Sequence, residues 1–137
     1  MTGPFDGGCL CGDIRYHCEV EPKTVYYCHC SDCRRISGTA FYTGVGVGKD
    51  GFSVTKGTVK QWHKKADSGN GVTRSFCPTC SASIYLQLEM FPNVIFIAAG
   101  SLDDQTTLKP NLELWTTSKV DWAEIPGDIM SMEKAAG

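Results

Sequence analysis

No stretch of this sequence approaches the ~20 consecutive apolar residues that a membrane-spanning helix needs, which excludes a transmembrane α-helix. Basic runs are equally scarce: nothing exceeds Arg34-Arg35 and Lys64-Lys65, and the 13 Lys and Arg are outnumbered by 15 Asp and Glu. A nucleic-acid partner calls for a basic face that neutralises several phosphates, and neither the composition nor the net charge of -2 supplies one. The first residues, Met1 to Gly8, have no basic start and no apolar run, so a secretory signal is not expected and the expected address is the cytoplasm. Internal repeats, low-complexity tracts and Pro/Ser-rich linkers are also lacking, and no domain boundary suggests itself. The expectation is one domain over residues 1–137, with a core of about residues 5–125 and a tail over 126–137.

Helix signals are weak. Ser31–Ile36 can form one turn with Ser31 as its cap, and Asp128–Ala136 reads as a short terminal helix or a frayed end. The rest consists of short β-prone runs separated by glycine-bearing turns. The expected strands are Asp13–Cys18, Thr24–Cys28, Ala40–Val47, Phe52–Thr55, Thr58–His63, Thr73–Phe76, Ile84–Leu88 and Val94–Ala99. Residues 84–88 alternate with period two, as a strand with one buried face does. Val94–Ala99 is apolar throughout, as a central strand covered on both sides is. Trp115 and Trp122, with Leu112, Leu114 and Ile125, are expected to pack a late segment against the sheets. The fold class is mainly β.

Cysteine is what the chain has in abundance, with eight. In a reducing compartment disulfides are rare, and clustered cysteines more often bind metal or do chemistry. Three clusters stand out: Cys9-Leu10-Cys11-Gly12, Cys28-His29-Cys30-Ser31-Asp32-Cys33 and Cys77-Pro78-Thr79-Cys80. The last is a C-x-x-C knuckle, whose two sulfurs can approach one tetrahedral zinc from a tight turn. Cys9 and Cys11 are the natural second pair, with Gly7, Gly8 and Gly12 letting the backbone turn beside the metal. Cys28, Cys30 and Cys33 then form a separate triad. Three ligands leave a tetrahedral ion with an open position, which is what separates a catalytic zinc from a structural one.

The eighth thiol, Cys18, is either a small core residue or a fourth ligand for the triad. In an extended Cys28-His29-Cys30 the imidazole points away from the sulfurs, so His29 is read as packing or supporting the site. His17 and His63 are ordinary strand residues. Arg34-Arg35 has three readings: offsetting the charge of gathered thiolates, binding a carboxylate of an anionic substrate, or simply being solvated.

With these motifs in this order, the chain resembles the glutathione-dependent formaldehyde-activating family, which includes the centromere protein V group. The resemblance rests on Gly8-Cys9-Leu10-Cys11-Gly12 with Ile14-Arg15-Tyr16, on Cys28 to Arg35 with Ser37-Gly38, and on Phe76-Cys77-Pro78-Thr79-Cys80. It continues through Ala99 to Asp104 and the late Ser118-Lys119 with Trp122. It implies a zinc-bearing β-tent fold of packed antiparallel sheets and two zinc ions per chain. The structural ion would sit on Cys9, Cys11, Cys77 and Cys80, the catalytic ion on Cys28, Cys30 and Cys33. The implied activity is that of a carbon–sulfur lyase of the S-hydroxymethylglutathione synthase type, joining glutathione or another thiol to formaldehyde. One departure is Ser81, where the family's knuckle continues with glycine. The rival readings are a zinc-organised protein-binding module without catalysis and a thiol redox protein.

Overall fold

The structure is a computed structural model and describes residues 3–125 and 127–134. Glycine-punctuated, β-branched runs become strands, and these assemble into two sheets. The small sheet has three antiparallel strands in the order β1 (Phe5–Gly8), β2 (Arg15–Cys18) and β5 (Phe52–Lys56). The large one includes β3 (Thr24–Cys28), β4 (Tyr42–Gly48), β6 (Lys60–Lys65), β7 (Gly71–Phe76), β8 (Ser83–Leu88) and β9 (Val94–Ala98). With β10 (Leu112–Leu114) and β11 (Met130–Ser131) its order is β11-β10-β3-β4-β9-β8-β7-β6. All eight expected strands are present, Thr24–Cys28 with the expected bounds and the other seven with shifted ends. Pairing is antiparallel among β1 to β9, whereas β10 joins β3 and β11 joins β10 in parallel.

Strand β9 shows why its run is apolar throughout. Ile95 and Ile97 enter a core shared with Phe5, Tyr16 and Cys18 of the small sheet, while Phe96 and Ala98 enter a second apolar cluster with Tyr26, Tyr42 and Leu86. The large sheet is therefore covered on both faces. Strand β8 shows the expected alternation, with Ile84 and Leu86 buried and Ser83, Tyr85 and Gln87 half-buried; Tyr85 packs on Phe52 of the small sheet.

Polar clamps hold the small sheet on the large one. The Arg15 guanidinium forms a two-point ion pair with Asp103, the Tyr16 hydroxyl meets Ser101 Oγ at 2.7 Å, and Asp103 N–H donates to the Asp6 carbonyl. Gly7 sits at this junction, and any Cβ there would overlap the Tyr16 hydroxyl and the Ser101 carbonyl. Its smallness serves close approach of the sheets rather than a turn.

The one α-helix among the described residues is α1 (Ser31–Ser37). No terminal helix forms over 128–134; that segment carries β11 instead, and Ala135 and Ala136 lie outside the described residues. Leu112, Leu114 and Trp115 pack against the second apolar cluster as expected, but Trp122 is 73% exposed and the buried residue beside it is Ala123. No helix of the described residues is long and apolar enough to cross a membrane.

Candidate metal centres

The four-sulfur site is built by two turns that belong to different sheets. After β1 the chain makes a loop in which Gly12 takes the left-handed conformation (φ 84°), and Ile14 N–H donates to Cys9 Sγ at 3.2 Å. After β7 the knuckle folds so that the N–H groups of Thr79 and Cys80 both point at Cys77 Sγ, each at 3.4 Å. Ser81 closes that turn at φ 65°, the backbone region that glycine occupies without strain. The Sγ atoms of Cys9, Cys11, Cys77 and Cys80 all lie within 4.8 Å of one another, with Cys9 to Cys11 at 3.6 Å and Cys11 to Cys77 at 3.7 Å. A tetrahedron with ~2.3 Å zinc–sulfur bonds has edges of about 3.8 Å, so this donor set fits a zinc ion.

The triad is made by the end of β3 and the start of α1. Cys30 itself is the helix cap, not Ser31: its Sγ accepts the Cys33 N–H at 3.3 Å. A sulfur thus does what a Ser or Asp oxygen usually does at a helix start, and the helical turn brings Cys33 back beside it. The helix ends at Gly38 in the left-handed conformation, with Gly38 N–H on the Arg34 carbonyl. The sulfurs of Cys28, Cys30 and Cys33 lie within 4.8 Å of one another. Hydrogen bonds from its two neighbours stabilise the Cys30 thiolate and pull it down to about 2, while Cys28, donating to Cys30, is pushed up to about 12. Cys33 is likewise raised by its bonds to Cys28 and Cys30. Three thiols that compete for one negative charge form a site that a dication would complete.

The two centres lie against different cores. Cys77 belongs to the core between the sheets, with Cys9 and Cys80 packed against it; Cys28 and Cys33 belong to the second cluster. The three cysteines of the triad also line a cleft of about 110 Å³ together with Tyr26, Arg74 and Trp115.

Cys18 is fully buried in the core between the sheets, its Sγ on the Val20 carbonyl at 3.5 Å, and is not among the triad's neighbours. Burial pushes its thiol up. His29 points away from the sulfurs as expected: its Nε2 pairs with Glu113 Oε1 at 3.0 Å and its ring meets Phe41 edge-on. Glu113 is itself buried and also engages Lys119 at 2.9 Å and Ser131 at 3.0 Å. That network ties the backbone of the triad to β10 and β11. Burial lowers the basicity of His29. His17 pairs with Asp6 and Glu19, and His63 with Thr73, as strand residues do. Two buried polar residues do not stand out in the sequence, Glu113 and Arg74. The readable signal for Arg74 is parity, since it falls on the same face of β7 as the buried Val72.

Comparison with known proteins finds likeness in both sequence and structure. The sequence model described as glutathione-dependent formaldehyde-activating enzyme matches residues 4–118. A crystal structure of a Rhodobacter sphaeroides protein shares the fold with a TM-score of 0.60 at 19% identity, covering 77% of this chain and 91% of that one. No curated protein matches the chain.

Proposed function

The chain belongs to the glutathione-dependent formaldehyde-activating enzyme family, and on that footing we propose that it is a zinc-dependent carbon–sulfur lyase of the S-hydroxymethylglutathione synthase type. In this reading Cys9, Cys11, Cys77 and Cys80 hold a structural ion, and Cys28, Cys30 and Cys33 hold the ion at the reaction site. Glutathione and formaldehyde are the substrates. The observation that carries the reading is the triad's position: three sulfurs gathered within 4.8 Å of one another, on cysteines that line a cleft.

A zinc ion bound there supplies Lewis acidity, which lowers the pKa of a substrate thiol. The chain's own contribution is to fix the ligands and keep water back. Cys33 N–H holds Cys30 Sγ in place, and Tyr26, Val72, Leu86 and Trp115 give the cleft a largely apolar wall. In the synthetic direction the thiol sulfur forms a bond to the formaldehyde carbon, the C=O π pair moves to oxygen, and that oxygen takes up the proton the thiol has lost. The lyase direction reverses each step. A closed fourth position would favour the rival binding-module reading, and Cys18, one residue that could close it, packs in the other core.

Titration calorimetry tests the reading. Glutathione should bind the zinc-loaded protein and bind Cys30→Ser far more weakly. Equal binding by both would remove the triad from substrate recognition.

A further inference from the structure

Every buried charged side chain among the described residues but one has a partner. Glu113 has three, whereas Arg74, only 8% exposed, has none. Its Nε is wholly buried with no hydrogen bond, and no carboxylate of the described residues pairs with the guanidinium. Burying an unpaired cation is costly, and arginine cannot escape the cost by losing its proton. An anion from outside the chain, entering a cavity that Arg74 lines, would supply the missing partner.

The surroundings agree. Arg74 lies where three cavities adjoin: the triad cleft, a second pocket with Tyr42, Ser83 and Tyr85, and a third with Arg35 and Lys64. In the third, Arg35, Lys64 and Arg74 face the single carboxylate of Asp32, which Lys64 already engages at 2.7 Å. The triad cleft adds Asp67, which is exposed. A guanidinium is a two-pronged donor matched to a carboxylate, and here Arg74 shares one small cleft with the three cysteines.

We infer that Arg74 receives a carboxylate of the thiol handled at the triad, so that the substrates are carboxylated thiols gripped at two points, sulfur on the triad side and carboxylate on the guanidinium. This rests on the lyase reading above and adds the residue that holds the carboxylate end of its thiol. The anchor sets specificity without taking part in the bond changes.

Two small thiols that differ in one group provide the test: 3-mercaptopropionate, which carries a carboxylate, and 2-mercaptoethanol, which carries a hydroxyl. Calorimetry on the zinc-loaded wild type should show the carboxylated thiol binding about ten- to a hundredfold tighter, the usual range for a desolvated charge-assisted pair. That preference should vanish in Arg74→Met and survive in part in Arg74→Lys. Arg74→Met should melt no lower than wild type, because it deletes a buried charge with no partner in the chain. Equal affinities in the wild type overturn the inference, whatever the variants do. A preference that survives Arg74→Met also overturns it. So does weaker zinc binding in Arg74→Met with the thiol preference intact, which would make the arginine a counter-charge for the sulfurs. In all three outcomes the lyase reading stands if Cys30→Ser abolishes binding of both thiols. Failure of both thiols to bind a wild type that binds glutathione overturns the inference alone; failure of glutathione as well overturns the lyase reading, and the inference falls with it.

Discussion

At the scale of single residues, cysteine spacing was the most informative signal in the sequence. Sulfurs two or three positions apart are confined to one turn, so spacing groups seven cysteines into three local clusters; that the first and third share one site is a tertiary contact. The same locality explains the roles of His29 and Cys18. Neighbours in an extended segment point to opposite faces, which sends the His29 ring towards Glu113, and a thiol in a strand with no second thiol nearby packs as an apolar residue. What spacing cannot show is the partner of a buried charge. Glu113 is separated from His29 by 84 residues, and Arg74 has no partner in the described chain at all. Ser81 gives a prediction at this scale. A non-glycine residue in the left-handed region costs about 1 kcal/mol, and Ser81 sits there at φ 65° with its N–H on the Cys77 carbonyl. Ser81→Gly should relieve that cost and raise the thermal midpoint by a few degrees without changing zinc content. A lower midpoint would mean that the hydrogen bond from Ser81 Oγ to the Cys80 carbonyl outweighs the strain.

At the scale of elements, runs that alternate or are apolar throughout were legible, and three short pieces were not. Strands β1, β10 and β11 have four, three and two residues, too few for a hydrophobic period to register. Their pairing is decided by tertiary contacts: Asn111 N–H on the Val25 carbonyl, His29 N–H on Leu114, and the Glu113 side chain bridging to Ser131. Strand β1, which delivers Cys9, is held to β2 partly by a titratable contact. His17 Nδ1 meets Asp6 Oδ1 at 2.7 Å and Nε2 meets Glu19 Oε1 at 2.8 Å; the Asp6 bond first, then the Glu19 bond, raises the imidazole above its ordinary 6.5. A basic group with a raised native pKa contributes stability that is fully present below its unfolded value and is lost as pH rises through the native one. The urea midpoint of the wild type should therefore fall, relative to His17→Gln, as pH rises above the ordinary 6.5 of the imidazole. Parallel curves for the two proteins over that range would show that the pair adds nothing to β1.

At the scale of the whole molecule, the two sulfur clusters carry different mechanical loads. The four-sulfur site joins the loop after β1 in the small sheet to the knuckle after β7 in the large one, and Cys11 and Cys77 are 66 residues apart. An ion held there links the two sheets. Structural zinc contributes on the order of 10 kcal/mol to folding in small zinc peptides, comparable with the ~5–15 kcal/mol by which a whole domain is stable. The triad lies within the five-residue step from Cys28 to Cys33, on elements already joined by β3, β4 and the His29–Glu113 pair, so its ion has little left to cross-link. Wild-type protein supplied with zinc should carry two ions per chain by elemental analysis. Cys80→Ser should be insoluble or strongly destabilised, because the remaining three sulfurs must hold the sheets together through an incomplete site. Cys33→Ser should keep its circular dichroism spectrum and most of its thermal midpoint while losing one zinc and the binding of glutathione. Zinc content and melts on both variants decide the matter. If Cys33→Ser unfolds while Cys80→Ser stays folded and loses thiol binding, the structural and catalytic roles belong to the opposite clusters.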